Sequence, residues 1–203
     1  MCSSDLGHSI GPADPAPGDC ERGVLAFSAA DRWIVGELQR VEAAVAKGFD
    51  DYRLDLVAGA IYAFVWDEFC DWYLEIAKVQ LAQAVARGDE AAARGTRRTL
   101  IRTLETVLRL LHPIAPFVTA ELWDVVAVVA GRREVGDDLT VATAPYPQAQ
   151  PAKIDPAADA WVARLKAVVG AARQLRSEMN LPPGQRVPLL VLGDGGFVDA
   201  AAP

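Results

Sequence analysis

Three sets of side chains in this 203-residue sequence have types and spacings suited to chemistry: a carboxylate run, a histidine at a proline turn and a cluster of arginines. Asp67, Asp71 and Glu75 recur at every fourth position with Glu68 beside them, which on a helix makes one acidic line. A dinuclear metal bundle needs inward carboxylates on several helices plus Glu-x-x-His pairs, and the chain has only His8 and His112. The line therefore reads as a solvated or salt-bridged rim, with Lys78 within reach of Glu75. His112 stands against Pro113 with no serine or cysteine near it in sequence, so a helix-end cap is expected rather than a general base. Cys2, Cys20 and Cys70 form no CxxC pair, which removes the usual zinc framework, and Cys70 is expected as an inert buried thiol. Gly193-Asp194-Gly195-Gly196 lacks the spacing and the following helix of a phosphate cradle. No catalytic, metal-binding or cofactor-binding residue is expected.

The arginines carry more. From 94 to 109 there are Arg94, Arg97, Arg98, Arg102 and Arg109 against Glu105 alone, a local +4 inside a chain of net charge −7. At helical angles they fall within an arc of about 140°, with Leu100, Leu104, Val107, Leu108 and Leu111 on the other side. A sequence pI near 4.9 excludes a protein that coats nucleic acid by charge alone, so any RNA contact must come from such a local basic face.

The elements that must hold this face are helical. Ser28 and Asp31 form an N-cap signal, and Ile34, Leu38, Val41 and Val45 continue at helical spacing until Gly48, which predicts a helix over 29–46. A second helix, 51–84, is apolar nearly all round its middle; Gly59 is a candidate bend, and the crowding of aromatics is a candidate register shift. Trp33, Trp66 and Trp72 are expected to pack in the core. The third helix, 90–111, ends at His112-Pro113, and Pro116 opens a fourth that carries Phe117, Val118, Leu122, Trp123 and Val126 to Gly131. Asp155-Pro156 starts a fifth, 156–179. Val187 to Leu192 reads as a short strand.

The expected fold is thus an all-α helical bundle with a partial α/β C-terminal appendage. Its expected division is an unstructured leader at 1–23, a bundle at 24–131, a linker at 132–154, and a helix plus short strand at 155–203. Hydrophobic residues at 52% and charged residues at 23% suit a globular chain, and no apolar run reaches the length of a membrane span. The opening Met1-Cys2-Ser3-Ser4-Asp5-Leu6 looks like translated adapter sequence, so the chain is expected to be a truncated piece with a spurious start.

Two segments go beyond periodicity: Trp66-Asp67-Glu68-Phe69-Cys70-Asp71-Trp72-Tyr73-Leu74-Glu75, and Leu111-His112-Pro113-Ile114-Ala115-Pro116-Phe117 running into Glu121-Leu122-Trp123. Both resemble the helical anticodon-binding domain that follows the catalytic core of valyl-tRNA synthetases, and more loosely its isoleucyl and leucyl relatives. The similarity takes in Ala30-Asp31-Arg32-Trp33-Ile34, Asp51-Tyr52-Arg53-Leu54-Asp55, Arg94-Gly95-Thr96-Arg97-Arg98-Thr99-Leu100, Tyr146-Pro147 and Arg173 to Asn180 with the prolines after it.

That resemblance implies a class I synthetase piece that holds tRNA, cytoplasmic, from a monomeric parent that joins valine to its tRNA with ATP. Neither a His-Ile-Gly-His-like nor a Lys-Met-Ser-Lys-Ser-like segment occurs, so the catalytic and editing parts are expected upstream and the chain alone is expected to be inactive. Editing would be needed because an apolar pocket rejects the isosteric hydroxyl of threonine poorly. A charged heptad arm is expected after Leu192. The tRNA-binding candidates are Lys78, Arg94, Arg97, Arg98 and Arg102, since guanidinium planes both stack on bases and donate in pairs. No DNA or membrane partner is expected. The alternatives are an isoleucyl- or leucyl-type fragment, or a non-catalytic helical module whose arginine face meets an acidic protein.

Overall fold

The computed structural model describes residues 24–182, 184–185 and 187–188. The leader with Cys2, His8 and Cys20, the residues expected to complete a strand at 189–192, and the Gly193 stretch lie outside the described residues. Among the described residues six α-helices follow in order: α1 Ala29–Asp50, α2 Leu54–Ala63, α3 Leu74–Arg87, α4 Glu90–Leu111, α5 Pro116–Val129 and α6 Pro156–Glu178. A π-helical segment, Phe64–Tyr73, joins α2 to α3 without a break, so the six make five rods. No strand occurs among the described residues, and Val187 and Pro188 carry no regular structure.

α1 begins with a full capping box: the Ser28 hydroxyl accepts from the Asp31 amide at 3.0 Å, and the Ser28 amide donates to the Asp31 carboxylate at 2.8 Å. The helix runs through Gly48, where the spacing predicts a stop, and ends at Asp50. The reason is packing: a Cβ at Gly48 would lie 2.6 Å from a methyl of Val57, so glycine here lets α2 close on α1. Tyr52, at φ 55°, supplies the left-handed turn instead.

The candidate bend at Gly59 does not mark the irregularity, which begins five residues later among the aromatics. Phe64, Phe69 and Tyr73 are all buried. Their rings lie 6.4 Å and 5.9 Å apart in sequence order. Steps of five and then four residues share one side only if the helix widens to i→i+5 bonding, and the π segment supplies that widening. Tyr73 then reaches the buried Asp31 carboxylate at 2.6 Å, tying this rod to α1. Burial raises the Tyr73 pKa well above its ordinary value, and the adjacent Asp31 charge adds to the shift.

α4 is the central rod, touching α1, α2, α3 and α5. Asp89 caps it by accepting from the Ala92 amide at 3.0 Å. Gly95 is required: a Cβ there would meet the Ala26 carbonyl oxygen at 1.8 Å, because residues 24–28 cross α4 at this point. At the far end His112 Nδ1 lies 2.8 Å from the Thr119 hydroxyl, which donates to the Ala115 carbonyl at 2.8 Å. His112 thus acts as a structural brace for the α4–α5 turn.

The stretch 132–154 runs back along the bundle. Arg109 donates to the Pro145 carbonyl at 2.6 Å, Tyr146 to the Leu110 carbonyl at 3.0 Å, and the Gln150 amide to Gln39 at 2.7 Å. Val141 is buried with Leu108, Trp123 and Ala127 in a small second core. α6 then docks on α1 through Ala158 and Val162, aided by the Arg32–Asp155 ion pair at 2.8 Å. Lys166 of α6 lies 4.7 Å from the ring centre of Trp33 and 5.3 Å from that of Trp72.

One expectation about packing is corrected. Trp66 is 57% exposed and stacks on Tyr62 instead of entering the core. Phe117, Val118 and Leu122 are exposed, because α5 turns only Thr119, Trp123 and Ala127 fully inward. Cys70 is half-buried, packed against the main core.

Candidate nucleic-acid interface

The arginines of α4 divide by position along the rod. Toward its start, Arg97 is exposed, and Arg94 and Arg98 are half-buried. Arg94 donates to the Glu90 carbonyl at 3.1 Å and to the Val24 carbonyl at 2.7 Å, which pins the crossing segment while leaving the guanidinium at the surface. Toward its end the expected outward arc fails: Arg102 is 5% exposed and Arg109 8%. The helical wheel gives direction around the rod, and α4 is wrapped on several sides by α1, α3 and α5. Arg102 is therefore a poor solvent-side contact.

Arg109 belongs to a buried charge cluster. Its guanidinium donates twice to Glu105, at 2.6 Å and 2.9 Å. The same carboxylate accepts from Trp123 Nε1 at 2.9 Å, with Arg132 at 3.4 Å. Glu105, Arg109 and Trp123 thus form one hydrogen-bonded network across α4 and α5, and Arg132 adds an ion pair from the 132–154 segment. Close by, Glu42 is 1% exposed, and neither carboxylate oxygen has a hydrogen bond among the described residues. Burial pushes its pKa up to about 8, with Arg109 and Lys153 pulling part of the way back.

Lys78 lies on α3, exposed and paired with Glu75 at 2.6 Å. The tight turn at Gly88 folds α3 back along α4, and Lys78 and Arg98 are each ten residues from it, so they stand at one level of the hairpin. Between these helices and the start of α1 is a cavity of about 140 Å³. Ser28, Gln80, Gln83, Arg87, Asp89 and Thr96 line it together with Ala26, Ala84 and Ala92, so its hydroxyls, amides, one guanidinium and one carboxylate are set in a wall that is otherwise apolar. The Ser28 hydroxyl also donates to the Gln80 side-chain carbonyl at 3.1 Å. Such groups present the donors and acceptors that read the edge of an unstacked base.

Sequence reasoning missed Gln80, Gln83 and Arg87. The signal was present as a polar stripe at i, i+3 and i+7 on α3, just before the turn that folds it against the arginines.

The structure defines a class: an all-helical bundle with a basic, cavity-bearing end and a buried charge cluster at the other. The pattern of the anticodon-binding domain of tRNA ligase matches residues 31–191, and the chain belongs to that family. The chain is 56% identical over 178 residues to the valine--tRNA ligase of Dechloromonas aromatica (strain RCB), a match covering 88% of this chain and 18% of that protein. It is 47% identical over 175 residues to that of Laribacter hongkongensis (strain HLHK9), covering 86% and 18%. Against that of Chromobacterium violaceum it is 44% identical over 167 residues, covering 82% and 17%. The chain therefore spans less than a fifth of the length of these relatives.

Proposed function

We propose that this chain is the part of a valine–tRNA ligase that holds the anticodon end of the tRNA, with Arg94, Arg97, Arg98 and Lys78 as its contacts. The observation that carries this reading is the coincidence of the family match with a bundle whose basic end adjoins a small cavity of mixed polar and apolar lining. Arginine forks there would grip phosphates while the Gln80, Gln83 and Thr96 side chains meet base edges. Arg102, being buried, supports the site from within and does not touch RNA.

The whole enzyme would act in the cytoplasm as a monomer, attaching valine to its tRNA at the expense of ATP. Its catalytic and editing parts are other portions of the polypeptide, so this portion alone binds tRNA and aminoacylates nothing. Valine is preferred over isoleucine or leucine because the three relatives above carry that name.

The test is competition binding with purified valine, isoleucine and leucine tRNA at several salt concentrations. The valine species should bind tightest. Reversing charge at Arg97 and Arg98 together should weaken binding and lower the salt slope by roughly one unit per lost phosphate contact. Unaltered affinity across the salt series would remove these arginines from the site.

A further inference from the structure

α5 carries a second surface that the tRNA site does not use. Val118, Leu122, Val125 and Val129 follow at steps of four, three and four, and are 54%, 50%, 68% and 68% exposed. Phe117, 91% exposed, extends the stripe at the helix start. The opposite side of the same helix is filled by Trp123 and Ala127, both 0% exposed, so the bundle's own core does not account for the outward residues. Soluble monomers seldom show a contiguous apolar patch beyond a few hundred Å² without a binding role. The charged residues of α5 are Glu121 and Asp124, both exposed acids with Asp124 paired to Arg133 at 2.7 Å, so the helix itself offers phosphate no cation.

We propose that this face of α5 is a docking surface for the rest of the ligase polypeptide, which covers it with an apolar helix or equivalent apolar stripe. The inference rests on reading the chain as part of such a ligase. Matches cover only 18% of two of these relatives, so more than four fifths of a polypeptide of that length lies outside this region. A tethered surface meets α5 at an effective concentration in the millimolar range, far above that of a second free copy in dilute solution. The four-three-four spacing is the seam that one helix offers to another, and a basic side chain opposite Glu121 would complete the fit.

Val125→Cys tests it in two settings: this chain alone, and a chimaera in which the chain replaces its matching 178-residue portion of the Dechloromonas aromatica ligase. Maleimide labelling is followed by peptide mass mapping, with molar mass from light scattering. Val85→Cys, on α3 and 57% exposed, serves as the reference site. Labelling at 125 should slow in the chimaera by at least about tenfold, the factor matching a 1.4 kcal/mol preference for the covered state. The reference site should be unchanged and both proteins monomeric. Equal rates overturn the proposal. Slow labelling in the isolated chain at doubled mass overturns it in favour of self-association, and slowing only when tRNA is added overturns it in favour of RNA. Valine tRNA binding by the same chimaera is read separately: its loss with protection intact refutes the anticodon assignment and leaves the docking face standing.

Discussion

The two halves of α4 carry the same residue type on the same helical arc and put it to opposite uses. In the first half Arg97 faces water, and Arg94 and Arg98 are half-buried at the end of the bundle that holds the cavity. In the second half Arg109 is buried and locked to Glu105 and the Pro145 carbonyl, and Glu105 in turn accepts from Trp123. What separates them is what lies over each: α5 and the 132–154 segment cover the later turns, whereas the earlier turns meet the short crossing segment at Ala26. Charge at a surface is available to a ligand. Charge in the interior is available only to its partner, and it then becomes a cross-link between elements.

The sharpest way to break this contrast is to remove one member of the interior pair. Arg109→Ala should cost about 3–5 kcal/mol in urea unfolding, because the Glu105 charge stays buried without its main partner. Arg97→Ala, on the same helix, should stay within about 0.5 kcal/mol of the parent. A small effect at both sites would show that the interior network is not the clamp it looks like here.

Glu42 sharpens the comparison by pH. Its folded pKa, about 8, is raised above the unfolded value, so the folded protein holds the proton more tightly. This group's stability contribution is complete below pH near 4.5 and is lost as pH rises toward 8. The slope over most of that window is about 1.4 kcal/mol per pH unit. Glu42→Gln should flatten that part of the unfolding-versus-pH curve and make the protein relatively more stable at pH 9. An unchanged slope would mean that the carboxylate is already compensated in its site.

Smaller in effect, Gly95→Ala probes the exposed half from its other side. The added methyl must push the Ala26 carbonyl away, at a cost of about 1–3 kcal/mol. Because Arg94 is anchored on the neighbouring Val24 carbonyl, the same change should weaken tRNA binding more than stability alone explains. Comparing affinity with unfolding midpoint for this variant separates the two effects.

Much of the architecture was legible because its signals are local. Ser28 with Asp31, Asp155 before Pro156, and His112-Pro113 each fix a helix end through a few adjacent atoms, and all are found where the spacing predicts them. The all-helical fold and the family follow from such signals together with the Trp66 to Glu75 segment. Gly48 failed as a stop signal because its role is a contact with Val57 of another helix. Trp66 failed as a core residue because side-chain size does not say which side of a π-widened helix turns inward.

Sequence by itself determined where four of the five rods begin, the arc on which the arginines lie, and the contrast between a basic segment and an acidic chain, since these depend on neighbours within a few residues. Only the tertiary structure decided which arginines remain at the surface, that Gln80, Gln83 and Arg87 meet the start of α1 around a cavity, and that α5 keeps an apolar face uncovered. Those outcomes depend on depth, set by elements distant in sequence that pack over one part of a helix and leave another bare.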